Sequence, residues 1–131
     1  MNSKKIFIIE DEASLLYSLQ AKFRIEGFEV MSDIGSEQAE VINKILRFKP
    51  NYIILDLILP KIDGFALLKE FKNQEATSAI PIFIFTNLSD QESRAKGLKL
   101  GADYYLVKAD FSIDQFVSKI KAIIRNQEKF K

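Results

Sequence analysis

Five short apolar runs, each followed by a longer amphipathic stretch, constrain this chain more than any other feature of it. The runs are Ile6-Phe7-Ile8-Ile9, Phe28-Glu29-Val30-Met31, Tyr52-Ile53-Ile54-Leu55, Ile82-Phe83-Ile84-Phe85 and Tyr104-Tyr105-Leu106-Val107. All but the second are nearly continuous in β-branched and aromatic residues, the pattern of strands covered on both faces. The second is interrupted by Glu29, which suits the edge of a sheet. The stretches between carry a helical period. Leu15, Leu19 and Phe23 recur at every fourth position with Leu16 beside them, and Ile113, Phe116, Val117, Ile120, Ile123 and Ile124 form one stripe. Strict alternation predicts parallel strands joined by right-handed crossovers, hence a doubly wound α/β sandwich.

Local punctuation agrees with this reading. Ser89 with Glu92, and Ser112 with Gln115, have capping-box spacing and are expected to open the fourth and fifth helices. Gly27 and Gly101 fall where two helices should end, a place that favours a left-handed backbone. Pro50 and Pro81 stand in loops ahead of strands. The 131 residues suit one domain over 1–131, and 47% hydrophobic content is too high for a disordered chain. No internal repeat beyond the strand–helix unit, low-complexity tract or linker is visible. The polar tail 125–131 is expected to fray.

Composition removes several functional classes. The chain has neither cysteine nor histidine, which excludes disulfides, thiolate and imidazole metal sites, Ser-His-Asp triads and phosphohistidine carriers. Lys plus Arg is 19 and Asp plus Glu is 18, so the formal charge is +1. That balance argues against direct nucleic-acid binding by this chain, which ordinarily leaves a basic footprint. Met1 to Lys5 is basic, but the apolar run after it ends at once in Glu10-Asp11-Glu12. It is too short for a signal-peptide core or a membrane span, and a soluble cytoplasmic protein is expected.

In an open parallel sheet, ligands bind beyond the carboxyl ends of the strands. The first strand ends in Glu10-Asp11-Glu12, the third in Asp56, the fourth in Thr86 and the fifth in Lys108. Carboxylates, a hydroxyl and an ammonium are thus delivered to one rim. Gathering Glu10, Asp11 and Asp56 costs energy through like-charge repulsion and desolvation. A hard divalent cation offsets that cost, and Lys108 supplies one further positive charge. Few protein carboxylates together with waters and a phosphoryl oxygen suit Mg²⁺ better than Ca²⁺. Taken singly, each residue has a plainer reading: a helix N-terminus for Glu10-Asp11-Glu12, a turn or cap for Asp56 and Thr86, a solvated side chain for Lys108. Their joint placement favours a site.

These pieces resemble the receiver domain of two-component response regulators, typified by the chemotaxis response regulator. The resemblance rests on the runs from Ile6 to Glu12, Ile53 to Gly64, Ile82 to Asn87 and Gly101 to Lys108, and it extends over essentially the whole chain. It implies a flavodoxin-like (βα)5 fold with strand order 2-1-3-4-5. Asp56 would be the phospho-acceptor, forming an acyl phosphate. Asp11 would hold Mg²⁺ directly, Glu10 through water, and the Ile58 backbone carbonyl would complete the protein's share alongside Asp56. Lys108 would pair with Asp56 or its phosphoryl oxygens, and Thr86 would donate its hydroxyl to the phosphoryl group. Tyr105 would swing inward on activation and remodel the surface of the fourth helix, fifth strand and fifth helix. Implied partners are a sensor histidine kinase or phosphotransfer protein, and a downstream protein target or tethered output domain. The only catalysis implied is the domain's own phosphorylation and dephosphorylation.

Four positions depart from the common family pattern. Ala109 follows Lys108 where a cis proline is usual. Asn87 follows Thr86 where a small residue is usual, and its amide would narrow access to a phosphoryl group or hydrogen-bond to it. Ile58 and Leu88, two beyond the acceptor and the threonine, are both apolar and cannot orient a water by hydrogen bonding. A slowly hydrolysed Asp56 phosphate is the expectation. Other classes fare worse. A haloacid-dehalogenase-like phosphatase wants an Asp where Ile58 stands, and a nucleotide-binding fold wants a glycine-rich loop after the first strand. The remaining alternative is a phosphorylation-independent pseudo-receiver acting as an interaction module. Such domains typically lose the acceptor, an acidic ligand or the lysine, all of which are retained here.

Overall fold

A computed structural model describes residues 3–129. Strands and helices alternate throughout: β1 (Lys5–Ile9), α1 (Ala13–Ile25), β2 (Glu29–Asp33), α2 (Gln38–Phe48), β3 (Tyr52–Leu55), α3 (Gly64–Asn73), β4 (Ile82–Thr86), α4 (Gln91–Lys99), β5 (Tyr104–Val107) and α5 (Ile113–Lys129). The strands form one all-parallel sheet in the order β2-β1-β3-β4-β5. The sequence reading is correct on architecture, strand order and flavodoxin-like class.

Period-two alternation along each central strand divides the core into two layers. Phe7, Ile9, Ile53, Leu55, Ile82, Ile84, Tyr105 and Val107 face α2 and α3, where Val41, Ile45, Leu67, Leu68 and Phe71 close over them. Ile6, Ile8, Tyr52, Ile54, Phe83, Phe85 and Leu106 face α1 and α5, meeting Leu16, Leu19, Phe23, Phe116, Val117 and Ile120. The Phe85 ring stacks on Phe116 with centroids 3.7 Å apart. Both layers are lined by buried apolar side chains, so the polar groups at the strand ends lie toward the rim.

Three local expectations change. The second strand runs Glu29–Asp33, beyond Met31, because Ser32 and Asp33 pair with Ile8 and Ile9 through their backbones whatever their side chains. The fourth helix is capped by Asp90, whose carboxylate accepts the Ser93 N–H at 3.0 Å, so Ser89 lies one residue outside the cap. An Asp is as good a cap as Ser and sits in better register here. The tail does not leave the helix after Ile124: α5 continues to Lys129, with Glu128 paired to Lys4 and Gln127 bonded to the Tyr104 hydroxyl. Phe130 and Lys131 lie outside the described residues. Gly64 serves space rather than backbone freedom, since a Cβ there would strike the Leu57 backbone while its φ is not positive.

Other punctuation holds. Ser112 Oγ accepts the Gln115 N–H at 3.1 Å and Gln115 Oε1 accepts the Ser112 N–H at 2.8 Å, a reciprocal box. Gly27 and Gly101 have φ of 95° and 114° just past α1 and α4. Among the described residues, no helix is long and apolar enough to cross a membrane.

Candidate functional site

The carboxyl ends of β1, β3 and β5 converge on one cluster. Glu10 follows β1, Asp56 follows β3 and Lys108 follows β5, each carried out of the core by buried apolar residues. Lys108 Nζ lies 2.7 Å from Glu10 Oε1 and 2.7 Å from Asp56 Oδ2. Glu10 and Asp56 are almost fully buried, whereas Asp11 is exposed. Carboxylate oxygens of Glu10, Asp11 and Asp56 all lie within 4.8 Å of one another.

Further bonds orient these groups. The other Asp56 oxygen accepts the Ile58 N–H at 3.1 Å, and Glu10 Oε2 accepts the Glu12 N–H at 3.0 Å. Burial raises the Glu10 carboxyl above its ordinary range, against the opposing pull of Lys108 and with a contribution from Asp56. For Lys108, burial alone would depress the ammonium, but the bonds to Asp56 and Glu10 outweigh it and hold its pKa above the ordinary lysine value. A buried ammonium between two carboxylates therefore stays charged.

All described peptide bonds are trans, the Lys108–Ala109 bond included. Lys108, Ala109 and Asp110 form a single 3₁₀ turn, and Lys108 still reaches Asp56. Proline is not required at position 109 to aim this lysine.

Thr86 ends β4, beside β3, and is fully buried. Its Oγ1 accepts the Leu88 N–H at 3.4 Å, and no hydrogen bond joins it to Asp56. Tyr105 makes no hydrogen bond to the cluster through its hydroxyl. Its ring is turned inward and 7% exposed, its hydroxyl donates to the Leu88 carbonyl at 2.8 Å, and Arg94 covers the ring with the guanidinium 5.1 Å from the centroid. Asn87 and Ile58 are exposed and Leu88 is half-buried.

One rim carboxylate escaped the sequence reading. Asp33 ends β2 and is 4% exposed; it accepts from Gly35 N–H, Ser36 N–H and Lys44 Nζ at 2.7, 2.9 and 2.8 Å. Ending the second strand at Met31, two residues short of its carboxyl end, hid it, and that strand's end was not among those read for site residues. Its bonds are all spent on its own loop and α2. Arg94 and Gly97, which surround Tyr105, gave no signal in sequence.

An all-parallel five-stranded sheet with an acidic cluster and one lysine at its carboxyl rim defines a class of signalling domain, and sequence comparison gives its name. Residues 6–121 match the response regulator receiver domain, and the chain belongs to that family of two-component signalling proteins. It is 39% identical over 129 residues to a protein named as a probable transcriptional regulator, ycf27, of Porphyridium aerugineum, covering 98% of this chain and 51% of that protein. The chain spans about half the length of the curated relatives it matches. Among solved structures it resembles a CheY-like response regulator receiver domain protein from Methanospirillum hungatei JF-1, with TM-score 0.84 and 26% identity, covering 99% of this chain and 100% of that one. It also resembles the phosphorylated cyanobacterial phytochrome response regulator RcpA, with TM-score 0.76 and 25% identity, covering 93% of this chain and 91% of that one.

Proposed function

We propose that Asp56 accepts a phosphoryl group from a phosphohistidine of a sensor histidine kinase or phosphotransfer protein, with Mg²⁺ as cofactor, and that this switches the surface formed by α4, β5 and α5. The observation that carries the proposal is Lys108 bridging Asp56 and Glu10 at 2.7 Å each within a three-carboxylate cluster. Phosphorylation of a structural relative, RcpA, supports it by analogy.

The donor set fits a hard divalent ion. Three carboxylates against one ammonium leave two negative charges in a largely buried pocket. Asp11, Asp56, Glu10 and the Ile58 carbonyl would hold Mg²⁺, which suits a site of few carboxylates and retained waters. Bound there, it would neutralise charge shared between the carboxylates and an incoming phosphoryl group.

The chain's own residues do the rest by positioning and charge. An Asp56 oxygen attacks phosphorus as the P–N bond to the donor imidazole breaks, and the bonding pair leaves with the imidazole. Lys108, already seated on Asp56, follows the negative charge onto the phosphoryl oxygens. Thr86 exchanges its contact with the Leu88 N–H for a phosphoryl oxygen, and the inward Tyr105 ring fills the space that Thr86 leaves. Within this proposal residues 1–131 act as one cytoplasmic receiver unit whose only catalysis is its own phosphorylation and dephosphorylation. Output passes to a protein target or a tethered domain. We assign any DNA contact to such an output domain, because the formal charge of +1 on these residues leaves no basic footprint.

Incubation with acetyl phosphate and Mg²⁺ followed by intact mass and site mapping tests the reading. Wild type should gain one phosphoryl group on Asp56 and Asp56→Ala none. An unmodified wild type, or equal modification of the variant, overturns it and leaves the phosphorylation-independent interaction module.

A further inference from the structure

Helix α4 offers the core an odd surface. A helix ordinarily docks through an apolar stripe, yet Gly97 is the one buried residue among Gln91–Lys99. Glycine is among the poorest residues for a helix interior, so its place here calls for a reason. Backbone freedom is not the reason, because Gly97 is absent from the glycines with positive φ. Space is. A Cβ at position 97 would lie 2.9 Å from Ile84 Cδ1 and 3.1 and 3.2 Å from Tyr105 Cδ2 and Cε2.

The same helix and its lead-in grip Tyr105 from other sides. Arg94 lies one helical turn before Gly97 and so shares its face. Its guanidinium covers the Tyr105 ring, and its Nη1 donates to the Tyr105 carbonyl at 3.2 Å. The Leu88 carbonyl takes the hydroxyl. Ring edge, ring face, hydroxyl and backbone of one residue are therefore all contacted by the segment 88–97. Removing the ring from this seat would leave Ile84 to support the buried position of α4 without it.

We infer that Gly97 is a positioning residue for Tyr105: the space it leaves admits the inward ring, so the side chain at position 97 sets the inward–outward equilibrium of Tyr105 and the surface that α4 and β5 present. The seat itself stands on contacts among β4, the loop after it, α4 and β5. Only its link to Asp56 rests on the function proposed above.

Helix propensity and sterics make opposite forecasts for Gly97→Ala, which makes the inference testable. Propensity alone says that α4 firms up and Tyr105 stays. Sterics say that the Ile84 tip and the ring edge must both give way, which tilts the ring toward its outward position. Protein labelled with 3-fluorotyrosine would be followed by ¹⁹F NMR, with the Tyr105 signal assigned from Tyr105→Phe and exposure read from broadening by a soluble gadolinium chelate. Wild-type Tyr105 should be protected. Gly97→Ala should shift the inward-to-outward ratio by about fivefold, as low-end overpacking does, and Gly97→Leu should shift it further. Adding Ile84→Val to Gly97→Ala removes the Cδ1 at 2.9 Å and should recover part of the inward population. A Tyr105 signal as protected in Gly97→Ala as in wild type overturns the inference, and decides the matter even where Gly97→Leu fails to fold by circular dichroism. These spectra need no phosphoryl donor, so failure of Asp56 labelling sinks the proposed function and leaves this result standing. Where Asp56 is labelled, phosphorylated Gly97→Ala should stay more outward than phosphorylated wild type. Equal populations would overturn the link to regulation.

Discussion

Replacing Lys108 by methionine keeps most of its volume and removes its charge from between two buried carboxylates. In the native protein Glu10 and Asp56 have side chains 2% and 5% exposed, and Lys108 Nζ touches both at 2.7 Å. Without the ammonium, two like charges share a pocket that water reaches mainly beside exposed Asp11. Breaking a buried pair from one side costs about 3–5 kcal/mol, and the open edge places this case near 3 kcal/mol. For a domain of this size that is a fall of roughly 10 °C in Tm. Urea denaturation at several pH values is the assay. The Glu10 pKa is already raised by burial and loses the pull of Lys108 in the variant. A raised folded pKa contributes stability that is complete below the unfolded value, about 4.3, and is lost as pH rises through the folded value. The deficit of Lys108→Met should thus be smaller at acidic pH than at neutrality. Adding Glu10→Gln should recover most of it at pH 7. A Lys108→Met protein within about 0.5 kcal/mol of wild type at pH 7, inside the range of an ordinary surface substitution, would refute the reasoning, because the carboxylates would then be hydrated well enough not to need the lysine.

Three further outcomes follow from single features. The Asp56 phosphate should decay over minutes or longer without a phosphatase, since apolar Ile58 and Leu88 flank the site; a lifetime of seconds, followed by the loss of labelled protein, would rule this out. Asp33→Ala should cost about 2 kcal/mol at neutral pH, a hydrogen-bonded charge lost from a half-exposed lysine partner. For Asp33, burial would raise the pKa, but Lys44 and the Ser36 and Gly35 N–H groups outweigh it and lower it, so its stabilisation exists above the unfolded value of about 3.9 and fades as pH falls through the folded one; an acid titration that leaves the gap between variant and wild type unchanged contradicts the assignment. Ser112→Ala should cost about 1 kcal/mol by thermal melting while Ser89→Ala changes Tm little, because the first is a cap and the second is not; equal losses would show the caps misassigned.

Much of this molecule was legible in one dimension. Continuous β-branched and aromatic runs specify strands buried on both faces, and their strict alternation with amphipathic stretches leaves few topologies besides a doubly wound sheet. Because such a sheet brings its strand carboxyl ends to one rim, Glu10, Asp11, Asp56 and Lys108 could be named together although 98 residues separate the first from the last. Finer points escaped for a shared reason, that backbone pairing and side-chain space carry no periodic signature. Asp33 belongs to β2 through hydrogen bonds to β1, Asp90 caps α4 by register, and Lys129 is helical despite a polar tail. Tertiary packing alone decided that Lys108 bridges two carboxylates across a trans bond to Ala109, and that Tyr105 lies against Gly97 beneath Arg94. Those contacts join residues from separate strands and helices, and distance along the chain says nothing of which atoms are left touching when the layers close.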